Sequence, residues 1–507
     1  MKKLLGILSS LTIAATAFAG CGGDSPAPGS SNTGGDGSSK ESSAGTSSAV
    51  SGEKVTIRVF GPNNVEEFPA GQDENNNRIL DYIEEHTGYD LIWEIAPKEN
   101  AREKVNLMLT SGVDCPDMIV NGDRNWGLDF VKEEMVYPLD EYLANTVNLK
   151  GLLTEDANKM MTFDGKLYGI VVPQNQEATN GFIIRQDWLD KAGVSVPTTL
   201  DEFRSVLQAF KDMEPNCIPL TGGAGDSGTW GVDGFKGAFG VATEWRETSD
   251  GKLENSLITQ DMKDYLTFCA GLYADGLLDK EYVVNKTDQL NEKIVSSRSG
   301  MRYTGWADVK NLRDGLAEKD PNASFAYAYP AGPDGRTGAV MNSPARIYFW
   351  VPVHSEIPDK VIDFLDKYVE KDVRMVVSYG WENEEYTIDA DGIINATEKA
   401  EEIRYRIYYQ LWDSKEDFLN RCKLKGFWPD YEPYKAFSTV KDPMWYAPVI
   451  TELQDNKTTL SDLQAQYFIK FITGALPMEK FEEFVSQWKA SGGDVVTEAV
   501  NNWYTNQ

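Results

Sequence analysis

Thirteen tryptophans and 23 tyrosines occur along this chain, and where one stands beside Asp, Asn, Glu or Arg a polar organic molecule could be gripped. A flat ring covers a face of C–H groups while neighbouring amides, carboxylates and guanidinium groups bond a rim of hydroxyls, which is what a sugar presents. Covering about 50 Å² in this way contributes roughly 1–1.5 kcal/mol. Two or three rings with polar contacts would then give about micromolar affinity. Asn121, Asp123 and Trp126 follow the short apolar run Met118 to Val120, and Asp226, Thr229 and Trp230 lie in the glycine-rich stretch 221–231. Arg185 could pair a ligand carboxylate, with an ion pair to Asp187 as the structural alternative.

Other chemistries find less support. With His86 and His354 alone, no catalytic triad or histidine-rich metal site suggests itself. Cys115, Cys217, Cys269 and Cys422 are too far apart for a CxxC pair or zinc knuckle, and disulfides or free thiols are both open. Gly222-Gly223-x-Gly225 lacks the Lys-Ser/Thr that completes a phosphate-binding loop. Asp73, Asn75, Asn77, Asp81 and Glu84 fall at calcium-loop positions 1, 3, 5, 9 and 12, but Arg78 stands where the turn needs Gly. No metal or cofactor is expected. A formal net charge of -30 argues against nucleic acid, whose phosphates need a basic face. Among 79 Asp and Glu residues carboxylate pairs must occur, so they do not by themselves indicate hydrolysis.

The elements that would position these groups begin with an export segment. Lys2 and Lys3 precede the apolar run Leu4 to Phe18, which is too short to span a bilayer. Ala19 and Gly20 then precede Cys21, which resembles a bacterial lipobox with Phe18 in place of the usual Leu. Cys21 is thus the expected site of lipidation, and residues 22–52, rich in Gly and Ser, form a tether spanning about 30 Å as a flexible coil. Residues 53–507 are too many for one core and predict two lobes or three small domains. Val55, Ile57 and Val59 alternate as a strand. Ile79, Tyr82, Ile83 and His86 follow helical spacing, and strands at 91–95 and 118–120 flank a second helix. This alternation predicts a parallel sheet wrapped by helices, with ligands beyond the carboxyl ends of its strands. Thr199 and Glu202 have capping-box spacing ahead of the stripe Leu200, Phe203, Val206, Leu207 and Phe210.

The segment 168–213 resembles the bacterial extracellular solute-binding proteins of carbohydrate ABC transporters. It carries a Tyr-Gly-Ile strand, Arg185-Gln186-Asp187-Trp188-Leu189 and Val196-Pro197-Thr198-Thr199-Leu200. Ser299-Gly300-Met301, Gly305-Trp306, the run 379–389 and the stretch 481–503 continue the likeness, in the order of the long, LplA-like subgroup of family 1. The resemblance implies an α/β fold of the type II periplasmic-binding-protein kind, with two lobes joined by hinge strands. One lobe would comprise 53–178 plus 332–385, the other 179–331 plus 386–507. It makes Trp306 the first candidate for a cleft aromatic, followed by Trp381 and Glu382 near the second lobe crossing. The calcium loop of several relatives is replaced here by Met213 to Pro219. The implied function is capture of a sugar or oligosaccharide by a lipid-anchored monomer, without catalysis, and its delivery to transporter permease subunits by hinge closure. A membrane-anchored glycoside hydrolase and a peptide or other-solute receptor are the competing expectations.

Overall fold

The computed structural model describes residues 54–506 apart from 65, 391 and 393. The export segment, Cys21 and the whole of the tether lie outside the described residues. Among the described residues no helix is long and apolar enough to cross a membrane.

The first lobe is built on β1 (Thr56–Gly61), β2 (Asp90–Ile95) and β3 (Met118–Asn121), which are mutually parallel with β1 central, and on β4 (Ile170–Pro173). The chain then enters a second sheet made of β5 (Asn180–Arg185), β6 (Ile218–Thr221), β7 (Ser299–Gly305) and β8 (Phe325–Ala328), in the order β8-β5-β7-β6. It returns as β9 (Ala345–Trp350), which pairs antiparallel with both β3 and β4 and completes the first sheet as β2-β1-β3-β9-β4.

Alternation along the strands divides the cores. Ile57, Val59, Met118, Val120 and Phe349 face one side of the first sheet, while Phe60, Ile119, Tyr348 and Trp350 face the other. In the second sheet Phe182, Ile184, Leu220 and Met301 join a core covered by helices Leu200–Met213, Gln260–Ala274 and Thr451–Ile472. The expected capping box forms, with the Thr199 hydroxyl accepting from the Glu202 amide and Glu202 returning to the Thr199 amide. All four cysteines described are free thiols.

The cores also locate the lobe crossings. Gln174 N bonds Pro344 O at 2.8 Å, Asn342 N bonds Glu177 O at 2.8 Å, and Asn175 Nδ2 bonds Asp413 O at 2.9 Å. Three crossing segments therefore run side by side. Two expected boundaries shift. Ile403, Tyr405, Tyr408, Tyr409, Leu411 and Trp412 pack with the first sheet, because their rings fill the space beside Ile79 and Trp93, so that lobe extends past 385. Residues 331–338 stay with the second sheet, where Ala331 bridges Thr199 and Gly332 lies too close to Ala238 to admit a Cβ.

Candidate functional site

The carboxyl ends of β2 and β3 each lead into a helix, Ala101–Ser111 and Arg124–Lys132, so Arg102 and Arg124 stand in first turns at the ligand-facing edge of the sheet. These two arginines, with Asn125 and Leu128, line a cavity of about 510 Å³ whose opposite wall is Glu244, Trp245, Leu257, Asp442, Met444 and Lys457. The cavity thus draws on both lobes, and its size falls within the roughly 300–1,000 Å³ of small-molecule sites. Met444 and Ala447 pack on the second core while their neighbours Trp445 and Tyr446 pack on the first, so the segment between them lies along the seam.

Its polar groups are held firmly and incompletely satisfied. Arg124 donates from Nε to Met160 O and from Nη1 to Ala447 O, both at 2.7 Å, leaving buried Nη2 without a partner among the described residues. Burial pushes the Arg124 guanidinium down to about 10. Crowding by surrounding protein raises the Glu244 carboxyl, with Asp442 repelling it further, and burial raises Asp442 as well. Asn255 Nδ2 fixes Glu244 at 3.1 Å. A buried donor and two carboxylates ready to accept hydrogen bonds suit a ligand rich in hydroxyls. Aromatic surface continues outward: Trp245 also walls an adjoining groove of about 390 Å³ with Arg246, Lys441, Tyr446 and Tyr504.

The structure distributes the sequence-selected residues unevenly. Asn121 and Asp123 do stand at the β3 edge, but Asn121 Oδ1 accepts from the Asp123 amide at 2.7 Å, and Asp123 caps the next helix through the Asn125 amide. Trp126 turns inward onto Phe130. Trp230 and exposed Asp226 belong to the glycine-rich loop, closed by Gly231 N to Gly223 O at 2.8 Å. That approach requires glycine, since a Cβ on Gly231 would stand 2.5 Å from the Gly223 nitrogen.

Arg185 is 1% exposed and spends its donors on Asp187, Ser297 and Asp320, so it serves the fold rather than a ligand. Trp306 is 7% exposed, wedged against Phe418, Phe427 and Tyr431. Its Nε1 donates to Gln176 Oε1 at 2.9 Å, tying this core to the first crossing segment. Trp381 is stacked under the Arg78 guanidinium, 3.8 Å from its ring centre, while Arg78 also pairs with Glu384 and Glu385. Glu382 is exposed beside it. Neither Trp381 nor Glu382 lines the cavity between the lobes. Asn77 of the calcium-like stretch caps the helix Arg78–Thr87, and Glu84 accepts from the Leu91 amide at 2.7 Å.

Arg124, flanked by the candidates Asp123 and Trp126, belongs to no motif; its place in the first turn after a strand end is the one local signal it carries. Glu244, Asp442 and Lys457 carry no motif and meet only through tertiary packing.

Residues 62–375 match the bacterial extracellular solute-binding protein family. The chain belongs to that family. Among relatives of this solute-binding protein, lipoprotein LipO of Bacillus subtilis (strain 168) is 25% identical over 488 residues, covering 90% of this chain and 94% of its own. The polygalacturonan/rhamnogalacturonan-binding protein YtcQ of the same strain is 25% identical over 468 residues, covering 83% and 87%. The HMO-binding, ABC-transporter-associated solute-binding protein of Bifidobacterium longum infantis superposes with a TM-score of 0.71 at 17% identity, covering 89% of this chain and 99% of that one. The last likeness supports the two-lobed fold.

Proposed function

We propose that this solute-binding protein captures an oligosaccharide in the cavity between its lobes and delivers it to the permease of an ABC transporter. The observation that carries the reading is the cavity itself, where Arg124 of one lobe faces Glu244, Trp245 and Asp442 of the other. A ligand touching both walls binds the closed arrangement better than the open one and so shifts the hinge equilibrium toward closure. Relatives named for polygalacturonan and fructooligosaccharide point to the same substrate class.

A panel of oligosaccharides screened by thermal unfolding tests this. One or more should raise the melting temperature, by an amount equivalent to about 2.7 kcal/mol at a hundredfold excess over Kd. Arg124→Leu should weaken that binding about tenfold or more, through loss of a charge-assisted hydrogen bond. A panel without a single shift would contradict the reading, and steady release of shortened sugars would favour the hydrolase instead.

On the same reading, a lipid on Cys21 holds the protein at the outer face of the membrane. Cys21→Ala is expected to move the protein from the membrane fraction to the medium. Its retention on the membrane would refute the anchor.

A further inference from the structure

Resting on the sugar-binding reading, we propose that the ligand is an anionic oligosaccharide that reaches from the cavity to the lobe crossings, where Arg346, Arg406 and Lys425, none of them part of the cavity lining, hold its carboxylate or sulfate around Arg421, whose own fork is spent on Asp413. These residues gather beside the lobe crossings, at the edge of the first sheet where β1 and β3 end. β9 runs antiparallel to β3 with Tyr348 opposite Asn121, which puts Arg346 just beyond the carboxyl end of β3. Asn64 Nδ2 donates to Ile407 O at 3.2 Å, which sets Arg406 beside the loop leaving β1.

The cations outnumber their counter-ions. Arg346 Nη1 bonds Asp413 Oδ2 at 3.1 Å, and Arg421 forks onto the same buried carboxylate, so one acid serves two guanidinium groups. Among the described residues Arg406 donates only to backbone, to Ser378 O at 3.1 Å and Ile403 O at 3.2 Å. Lys425 is accessible and has no ion-pair partner among the described residues. The protein packed around its stem lowers its pKa although the ammonium reaches solvent, and Arg406, Arg421 and Arg404 lower it further. Glu401, which acts on both Arg406 and Lys425, is already paired with Arg404 at 3.3 Å; Glu385, which also acts on Arg406, is paired with Arg78, and Asp417, which acts on Arg421, with Arg374. On a chain of net charge -30, a cluster of cations that share their acids with other cations is only partly neutralised, and an anion bound there relieves the remaining repulsion. Forked guanidinium groups match the planar oxygens of a carboxylate and also accept sulfate.

The test is isothermal calorimetry on the full protein with length-matched sets: oligogalacturonates, sulfated galacto-oligosaccharides, and neutral galacto-oligosaccharides. We expect one acidic set to bind at least about tenfold tighter than its neutral counterpart. The two acidic arms distinguish carboxylate from sulfate. The advantage should shrink as salt rises and fall about fivefold in Lys425→Gln, whose exposed position leaves folding intact. Arg406→Gln, checked for folding by circular dichroism, should do the same. Neutral sugars binding as tightly as acidic ones, or an acidic advantage indifferent to both substitutions, would overturn this proposal alone. No binding by any set would count against the sugar-binding reading as well.

Discussion

Trp306→Ala is expected to lower folding stability by about 3–5 kcal/mol, the range for truncating a large aromatic in a packed core. The ring meets Tyr431 at 5.1 Å, Phe427 at 5.7 Å and Phe418 at 5.9 Å between centroids, and removing it leaves a cavity that these rigid neighbours cannot fill. Gln176 also loses its partner in the first crossing segment. Trp306→Phe keeps most of the packing and loses the hydrogen bond, so it should cost much less while still loosening the hinge. Guanidinium unfolding of both variants reads the difference. Unchanged stability with weakened sugar binding would instead restore Trp306 to the role of cleft platform that its sequence neighbourhood implied.

Asp279→Ala should destabilise the second lobe by about 3 kcal/mol, because it leaves buried Lys293 with only the exposed Glu281 carboxylate as a counter-charge. Lys293 and Asp279 are each nearly inaccessible and meet at 2.8 Å. Asp279 Oδ2 also accepts from the Thr221 hydroxyl and Asn285 Nδ2, both at 2.9 Å, and Asn285 Nδ2 in turn reaches Gly222 O. This network holds the start of the glycine-rich loop 221–231, so the substitution should release that loop to protease attack before global unfolding. Replacing the pair together, Asp279→Leu with Lys293→Met, should recover part of the loss. A double variant no more stable than Asp279→Ala would show that the charge imbalance is not what matters.

What could be read from the sequence was what local periodicity controls. Ile57 and Val59 alternate in the sequence and share one face of the sheet, and Thr199 and Glu202 form their cap because both partners lie within one helical turn. Arg185 with Asp187 was visible as a near-neighbour pair, whereas Asp320, its second anionic partner, was not. The site depends on contacts between residues more than a hundred positions apart, as Arg124 with Ala447. No spacing rule anticipates these. A tryptophan after Gly305 looks the same whether it lines a cleft or fills a core, and only the rings of Phe418, Phe427 and Tyr431 decide between them. The lobe boundary near 385 failed similarly, because the tyrosines at 405, 408 and 409 gave no local sign of which sheet they would cover.

Small-angle scattering from the protein with and without a sugar found to bind would test most directly whether two bodies close on a ligand. The radius of gyration should fall on saturation and stay constant with a sugar that does not bind. A bound sugar that leaves the scattering curve unchanged would contradict closure.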